Sequence, residues 1–397
     1  MNELIKQKVD QIAECIFQKI ENTEEEIESF GLYSGKFGIL LFLFYYSKFT
    51  KNEKHRLLTE NYAERLFNQF LSETKIHTFC DGLSGILYLF EILRDNYFID
   101  LDISNSQLLL DNYLIARMRF DIQQQSYDFM HGALGVGLYF LKKETNPQCI
   151  EELLYFLYQT AEKETDNQIF KWKSTLDFEK NLIGYNLSLS HGISSIIIFL
   201  SRVINSGKKD EIIMEMLIGS VNYVLSLQKD FSENGSCFPH YIVSNSSEPV
   251  SKSRLAWCYG DLGISMALWQ AGNAINNKEW KEKGIETLQH STKRRTFDES
   301  LIRDAGICHG SVGLAMIYRR MYLNTNGNEF QETTNYWINQ TLHFSYFEDG
   351  LVGFKSLEKD RWKSDYSLLT GISGIGLVLM SCITEDVYNW DEIFLLT

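Results

Sequence analysis

Apolar residues recur every three or four positions through much of this chain, which is the spacing of an amphipathic helix. Two clear series are Ile150, Leu153, Leu154, Leu157 and Ile213, Leu217, Val221, Val224. Proline, which breaks helices, occurs only three times in 397 residues. The pattern therefore predicts an all-α protein.

A second kind of segment begins with a short glycine motif and continues as a run that is apolar on nearly every side. The copies are SGKFGILLFL from Ser34, DGLSGILYLF from Asp81, HGALGVGLYF from His131, HGISSIIIFL from His191, YGDLGISMAL from Tyr259, HGSVGLAMIY from His309 and TGISGIGLVL from Thr370. The fourth copy departs from the others, because Ser195 stands where they have glycine. A helix that is apolar all round must be surrounded by protein.

The first glycines of successive motifs are 47, 50, 60, 68, 50 and 61 residues apart, which fits two helices plus loops. Each repeat is therefore predicted to be a helical hairpin. We expect one domain over residues 1–397, an α/α toroid in which seven inner helices are wrapped by seven outer ones, because closing the ring removes the ends that an open array must cap. Residues 232–253, rich in Ser, Asn and Gly, are expected to form an irregular excursion with short strands.

The composition of the chain excludes several classes of protein. Lys and Arg number 38 and Asp and Glu number 52, a net charge of −14, which disfavours nucleic acid as a partner. Seven dispersed cysteines do not form a disulfide framework, so a reducing cytoplasm is expected. The N-terminal segment has the spacing of a packed helix, unlike a signal peptide, and the longest apolar run is shorter than the roughly 20 residues that cross a bilayer. We expect no membrane span.

Three potential metal ligands lie in consecutive motif turns. Cys258 directly precedes the fifth motif, Cys308 directly precedes the sixth, and His309 is the first residue of the sixth. Two thiolates and an imidazole suit zinc, and three protein ligands leave a coordination position vacant, as in catalytic zinc sites. Neighbouring residues of a helix point about 100° apart, so Cys308 and His309 are expected on the turn before the helix. Cys80 also lies in a motif turn and could compete as a ligand, but we interpret it as structural.

Other polar groups are predicted at the same end of the ring. They are His191, Asp128, Arg254 and Tyr259, with His131 as an additional histidine. Histidine can transfer protons near neutral pH, a nearby aspartate can orient it, and arginine can stabilise an oxyanion. Each could instead be structural: the histidines and Asp128 could cap helices, Arg254 could be a surface charge, and Tyr259 could simply pack.

A zinc site with two thiolates activates water poorly but would hold a substrate thiol as thiolate, so thiol alkylation is the natural reaction.

Four motifs carry a resemblance to a known family. The motifs SHG at 190–192, WCYG at 257–260, CHG at 308–310 and GISG at 371–374, in this order along the chain, resemble those of the lanthipeptide cyclases of the LanC family, specifically the stand-alone class I enzymes. The similarity extends from the first glycine motif to the last.

The resemblance implies an α/α toroid with one zinc ion bound by Cys258, Cys308 and His309. It further implies that His191 is the catalytic histidine, with Asp128, Arg254 and Tyr259 as the family's other catalytic residues. Such enzymes add cysteine thiols of a dehydrated precursor peptide to its dehydroalanine or dehydrobutyrine residues, which forms lanthionine or methyllanthionine rings. The implied partners are that peptide, with its leader and core, and a dehydratase and an exporter at the cytoplasmic membrane. Some relatives carry a small strand-containing extension.

Other hypotheses remain open from the sequence. The chain could be a LanC-like enzyme that adds glutathione to dehydroamino acids, or a non-catalytic thiol-binding scaffold. It could also be a toroidal glycosidase that uses carboxylates such as Asp81, Asp128 and Asp261. His131 lies three residues after Asp128, so either His131 or His191 could be the general acid.

Overall fold

Each of the seven glycine motifs leads directly into a helix, as the pattern predicts. The computed structural model describes residues 1–22, 27, 29–73, 76–96, 98, 104–164, 168–177, 179–244, 252–384, 386 and 388–397. The helices in chain order are α1 (Asn2–Asn22), α2 (Lys36–Thr50), α3 (Glu53–Glu73), α4 (Leu83–Asp95), α5 (Ser104–Gln123), α6 (Ala133–Lys143), α7 (Pro147–Thr160), α8 (Ile193–Asn205), α9 (Glu211–Ser226), α10 (Phe231–Asn234), α11 (Asp261–Ala274), α12 (Lys278–Ser291), α13 (Phe297–Ser300), α14 (Ser311–Thr325), α15 (Asn328–His343) and α16 (Ile372–Ser381), and a 3₁₀-helix spans Trp390–Phe394.

The strands are short and antiparallel. They are β1 (Glu162–Glu164), β2 (Ile169–Lys171), β3 (Ser174–Asp177), β4 (Leu182–Asn186), β5 (Tyr241–Val243), β6 (Ser356–Glu358) and β7 (Arg361–Lys363). Strand β1 pairs with β2. A three-stranded sheet is formed by β3, β4 and β5, and a separate pair is formed by β6 and β7. Within the described part of the chain, no helix is long and apolar enough to span a bilayer.

The motif glycines are required by close approach of the backbone. A Cβ atom on Gly192, the residue before α8, would lie 2.2 Å from the carbonyl oxygen of Asn186. A Cβ atom on Gly313, in the first turn of α14, would lie 1.9 Å from the carbonyl oxygen of Ile307. Both distances are far shorter than a van der Waals contact, so each turn folds back onto the start of its helix only without these side chains. At Ser195, where the motif departs, the buried hydroxyl donates to the carbonyl of Gly192 at 2.7 Å.

The chain divides into two compact units, of which the first contains residues 1–101 and 302–393. Its buried helices α2, α14 and α16 follow glycine motifs, and each packs against an amphipathic partner: α2 against α3, α14 against α15, and α16 against α1. Helix α16 also contacts α2 and α14. All residues of α16 are buried, whereas α1 buries only the face formed by residues such as Val9, Ile12 and Ile16. The predicted division into buried and half-exposed helices is therefore present.

The second unit contains residues 102–301 and 394–397. Helices α6, α8 and α11 follow glycine motifs and contact one another in that order, and their amphipathic partners are α7, α9 and α12. The C-terminal residues close against this unit. The indole of Trp257 donates to the carbonyl of Phe394 at 2.8 Å, and Gln270 donates to the carbonyl of Leu395 at 2.7 Å.

The expected excursion at residues 232–253 contains the end of α10 and strand β5 in its described part, and residues 245–251 lie outside the described residues. Most of the strands of this unit come instead from residues 162–186, between α7 and α8. In this segment buried and less buried side chains alternate, as is typical of a strand: Phe170 and Trp172 are buried, while Lys171 between them is half-buried. A period of two over so few residues is a weak signal beside the long helical repeats.

Candidate functional site

Consecutive motif turns of the first unit are joined by backbone hydrogen bonds. The N–H of Tyr33 donates to the carbonyl of Cys80 at 2.8 Å, and the N–H of Leu369 donates to the carbonyl of Tyr33 at 2.9 Å. The N–H groups of Ile307 and Cys308 both donate to the carbonyl of Leu369, at 2.9 and 3.0 Å. The sixth, seventh, first and second turns therefore follow one another in space, and the last repeat bonds to the first.

A backbone hydrogen bond of the same kind joins two turns of the second unit. The N–H of Leu189, in the fourth turn, donates to the carbonyl of Cys258, in the fifth, at 3.0 Å. The hydroxyl of Ser190 lies 3.4 Å from the same oxygen. The turn that carries His191 is thus fixed against the turn that carries Cys258, although 67 residues separate them in the sequence.

Asp128 links the third turn to the fourth. Its Oδ2 atom lies 2.7 Å from Nδ1 of His191, and its Oδ1 atom accepts the backbone N–H of His131 at 2.8 Å. One carboxylate therefore fixes both its own turn and the imidazole of the next. The arrangement assigns the proton to Nδ1 of His191 and leaves Nε2 for a substrate. The two predicted residues meet in the geometry of an oriented acid or base.

The surroundings of His191 favour its protonated form. Burial alone would lower the pKa of the imidazole, but the hydrogen bond and the negative charge of Asp128, with a smaller contribution from Cys258, raise it above its usual value. About 29% of the His191 side chain is exposed, so the ring remains open to a substrate. A histidine whose pKa is raised by a neighbouring carboxylate is better suited to act as a general acid than a free imidazole.

His131 takes a different position. Its ring is stacked on that of His191, with centroids 5.6 Å apart and planes 11° apart, and the residue is exposed. It contacts Asp128 through its backbone N–H, whereas His191 contacts the carboxylate through its ring. The geometry therefore favours His191 over His131 as the histidine that Asp128 orients.

Tyr259, Arg254 and Cys258 belong to the fifth turn. The ring of Tyr259 lies 6.5 Å from that of His191, and Cys258 is buried, with 7% of its surface exposed. The guanidinium of Arg254 donates to the carbonyl of Leu301 at 3.2 Å. The predicted catalytic residues of the second unit thus lie on three neighbouring turns.

His240 is a further residue at this turn that the sequence analysis missed. Its Nε2 atom accepts the backbone N–H of Arg254 at 3.3 Å, and its ring meets that of Tyr259 edge to face at 5.4 Å. Burial and the positive charges of Arg254 and Arg294 lower the pKa of His240 to about 4, so its ring is neutral. The only sequence signal was a histidine directly after Pro239 in a segment without helical spacing.

In the first unit, Cys308 and His309 lie on the turn before α14, as expected for adjacent ligands. Nε2 of His309 lies 3.8 Å from Oδ2 of Asp304, a buried carboxylate that the sequence analysis missed. Asp304 also accepts the N–H groups of Gly306 and Leu357, at 3.1 and 3.0 Å. A carboxylate beside a histidine is a common companion of metal-binding imidazoles, so the surroundings of His309 suit a ligand.

The predicted zinc ligands are divided between the units: Cys258 belongs to the second, Cys308 and His309 to the first. Among the described residues, no group of three or more His, Cys, Asp or Glu side chains is arranged to hold a metal ion. By chemistry, two thiols and an imidazole remain a donor set suited to zinc. The ligand set stays a prediction.

Two alternatives from the sequence lose support. The thiol of Cys80 is buried and lies 3.0 Å from Oδ2 of Asp81, which agrees with a structural role. Asp261, one of the carboxylates considered for a glycosidase, is completely buried and paired with Arg294 at 3.2 Å. A carboxylate enclosed in this way cannot reach a sugar.

Comparison with known proteins identifies similar sequences and structures. Residues 26–395 match the sequence model of the family described as "Lanthionine synthetase C-like protein". The chain is 25% identical to the nisin biosynthesis protein NisC of Lactococcus lactis subsp. lactis, over 95% of this chain and 79% of that protein. The solved structure of nisin cyclase superposes with a TM-score of 0.78 and 22% identity, over 99% of this chain and 98% of the other. This likeness confirms the predicted α/α toroid fold class.

Proposed function

We propose that this chain, which belongs to the lanthionine synthetase C-like family, catalyses a zinc-dependent addition of peptide cysteine thiols to dehydroalanine or dehydrobutyrine residues of the same peptide. The chain is a lanthipeptide cyclase of the LanC family, the enzyme class that its motifs predict. Its substrate is a peptide of lantibiotic biosynthesis. The observation that carries the finer proposal is the contact between Asp128 and His191 on turns beside Cys258.

The reaction needs one proton removed and one delivered. The peptide thiol loses its proton, its sulfur forms a bond to the β-carbon of the dehydrated residue, and the electrons of the double bond move onto the carbonyl oxygen. The enolate then takes a proton at the α-carbon, so the product contains every atom of the substrate. A protonated His191, oriented by Asp128 and open to solvent on one side, is the donor of that proton.

The other predicted catalytic residues stabilise the negative charge that forms on the substrate and contact the substrate. Arg254 carries a permanent positive charge that stabilises the enolate oxygen, and Tyr259 lies between His240 and His191, where its hydroxyl can contact the substrate. Zinc bound by Cys258, Cys308 and His309 would supply a thiolate at neutral pH by lowering the pKa of the peptide thiol. We further propose a cytoplasmic location and association with a dehydratase and an exporter, which would supply the dehydrated peptide and remove the product.

The test is incubation of the purified protein with a dehydrated precursor peptide. Cyclisation leaves the mass unchanged but consumes thiols, so free thiols are counted by alkylation and mass spectrometry. Loss of peptide thiols with the parent protein, and none with His191→Ala, supports the proposal. Consumption of added glutathione with the peptide thiols intact would instead indicate a glutathione-adding enzyme, and no consumption of either thiol would indicate a scaffold.

A further inference from the structure

Four of the seven glycine turns have a capping residue six positions before the first glycine. In these four turns a side-chain oxygen at this position accepts the backbone N–H two residues further on, at 2.8 to 3.1 Å. These capping residues are Ser29, Asn186, Asp304 and Asp365. Such local bonds fix the path of the chain into the helix that follows.

The fifth turn has Arg254 at this position. A guanidinium has no acceptor, so Arg254 cannot form the bond that the four capping residues form. The backbone also differs: Gly260, before α11, has φ of 80°, whereas Gly192 at the equivalent point before α8 has φ of −140°. The turn that carries Arg254 therefore lacks the local bond of the four capped turns and follows a different backbone path.

A buried ion pair holds the backbone of the fifth turn. Asp261 and Arg294 are 0% and 2% exposed, and Nη1 of Arg294 lies 3.2 Å from Oδ2 of Asp261. The carboxylate accepts the backbone N–H groups of Cys237 and Phe238, at 3.2 and 2.8 Å. Arg294 donates to the carbonyl of Ser253, the residue directly before Arg254. The pair thus binds two backbone segments, one leading to His240 and the other to Arg254.

We infer that Asp261 and Arg294 are positioning residues for cyclisation, which hold Arg254 and His240 in the fifth turn in place of the capping residue. This inference rests on the proposed function. Because a charged pair in the interior aligns backbone groups through several bonds at once, replacing one partner frees both segments together. The pair is positioned to act through Arg254, which stabilises charge only in the transition state, so its loss lowers kcat more than it changes KM.

The test compares Asp261→Asn with Asp111→Asn. Asp111, on α5, is also buried and pairs at 2.6 Å with Lys143, at the end of α6 opposite to its glycine turn, so its variant breaks a similar ion pair in the same unit. We expect Asp261→Asn to lower kcat for cyclisation about 10- to 100-fold with KM changed by less than about threefold. Asp111→Asn should lose thermal stability but keep its kcat. Equal kcat values in the two variants would overturn the inference.

A double-mutant cycle separates positioning from general destabilisation. If Asp261 acts through Arg254, Asp261→Asn in an Arg254→Ala background should lower kcat further by less than about twofold. An undiminished effect in that background would contradict the inference. Should Asp261→Asn fail to fold, Arg294→Lys keeps the charge but loses the fork of donors, and the same cycle applies.

Hydrogen exchange gives a readout that does not depend on activity. In Asp261→Asn, the amides of Cys237 and Phe238 should exchange faster, while helix α8 keeps its protection. Unchanged exchange at these amides would show that the pair does not hold the segment. If the parent protein forms no thioether rings, the proposed function fails, whereas this measurement still reports whether Asp261 anchors the turn.

Discussion

His191 and Asp128, 63 residues apart in the sequence, are joined by a contact of 2.7 Å between Nδ1 and Oδ2. The carboxylate orients the imidazole and raises its pKa, against the opposing effect of burial. The two effects of Asp128 can be separated by experiment, because orientation governs the rate and the charge governs the pH range.

Asp128→Asn should lower kcat for cyclisation by about 10²-fold or more, because a neutral amide holds Nδ1 of the imidazole less firmly than a carboxylate does. His191 acts as an acid only while protonated, so activity falls as the pH rises through its pKa. Without Asp128 that pKa is lower, and the alkaline arm of the pH profile should move to lower pH. His131→Gln keeps the contact between Asp128 and His191 and should leave this arm in place. A shift with His131→Gln alone would make His131 the acid.

Replacing Cys258 or Cys308 by Ala should remove zinc and cyclisation together, because each supplies one of the three proposed ligands. Elemental analysis of the purified proteins measures the metal, with one zinc per chain expected for the parent. Cys80→Ser is the matched control, since Cys80 also lies in a motif turn, and it should retain zinc. Thioether formation by a metal-free protein would refute zinc dependence.

His240 should make the protein sensitive to acid. Its pKa is about 4 in the folded protein and about 6.5 when unfolded, so the unfolded state binds its proton first as the pH falls. Stability is therefore lost between pH 6.5 and 4, by about 3 kcal/mol at most, and the loss levels off below pH 4.

Urea denaturation at several pH values measures this loss. His240→Gln keeps an acceptor for the N–H of Arg254 but cannot titrate, so its stability should fall less over the same range. The same exchange at His343, which is exposed on α15, should leave the pH dependence as in the parent. An equal pH dependence in His240→Gln and the parent would contradict the prediction.

Gly313→Ala should destabilise the protein by about 2 kcal/mol or more, because the added Cβ would meet the carbonyl of Ile307 at 1.9 Å. Ser195 occupies the equivalent position of the fourth turn, so Ser195→Ala is the matched control. It removes one hydrogen bond to Gly192 and should cost about 1 kcal/mol. The urea midpoints of the two variants make the comparison. A Gly313→Ala protein as stable as the parent would show that this turn tolerates a side chain.

The repeated glycine motifs identified the buried helices and the positions of His191, Cys258 and His309, because both depend on local spacing along the chain. A run that is apolar on every side can only be buried, and a glycine before it indicates where the backbone closes on itself. The motif residues likewise sufficed to identify the family. The strands at residues 162–186 and the role of Asp304 carried no comparable repeat.

By itself the sequence determined the helical class, the seven turns and the residue types available for chemistry, since these follow from periodicity and composition. Only the tertiary structure decided which of these residues meet. It brought Asp128 to His191 in preference to His131, placed the neutral His240 beside Tyr259, and buried Asp261 against Arg294. Contacts of this kind join residues from distant repeats, and their geometry depends on how the backbone of each turn packs against the next, which no local pattern encodes.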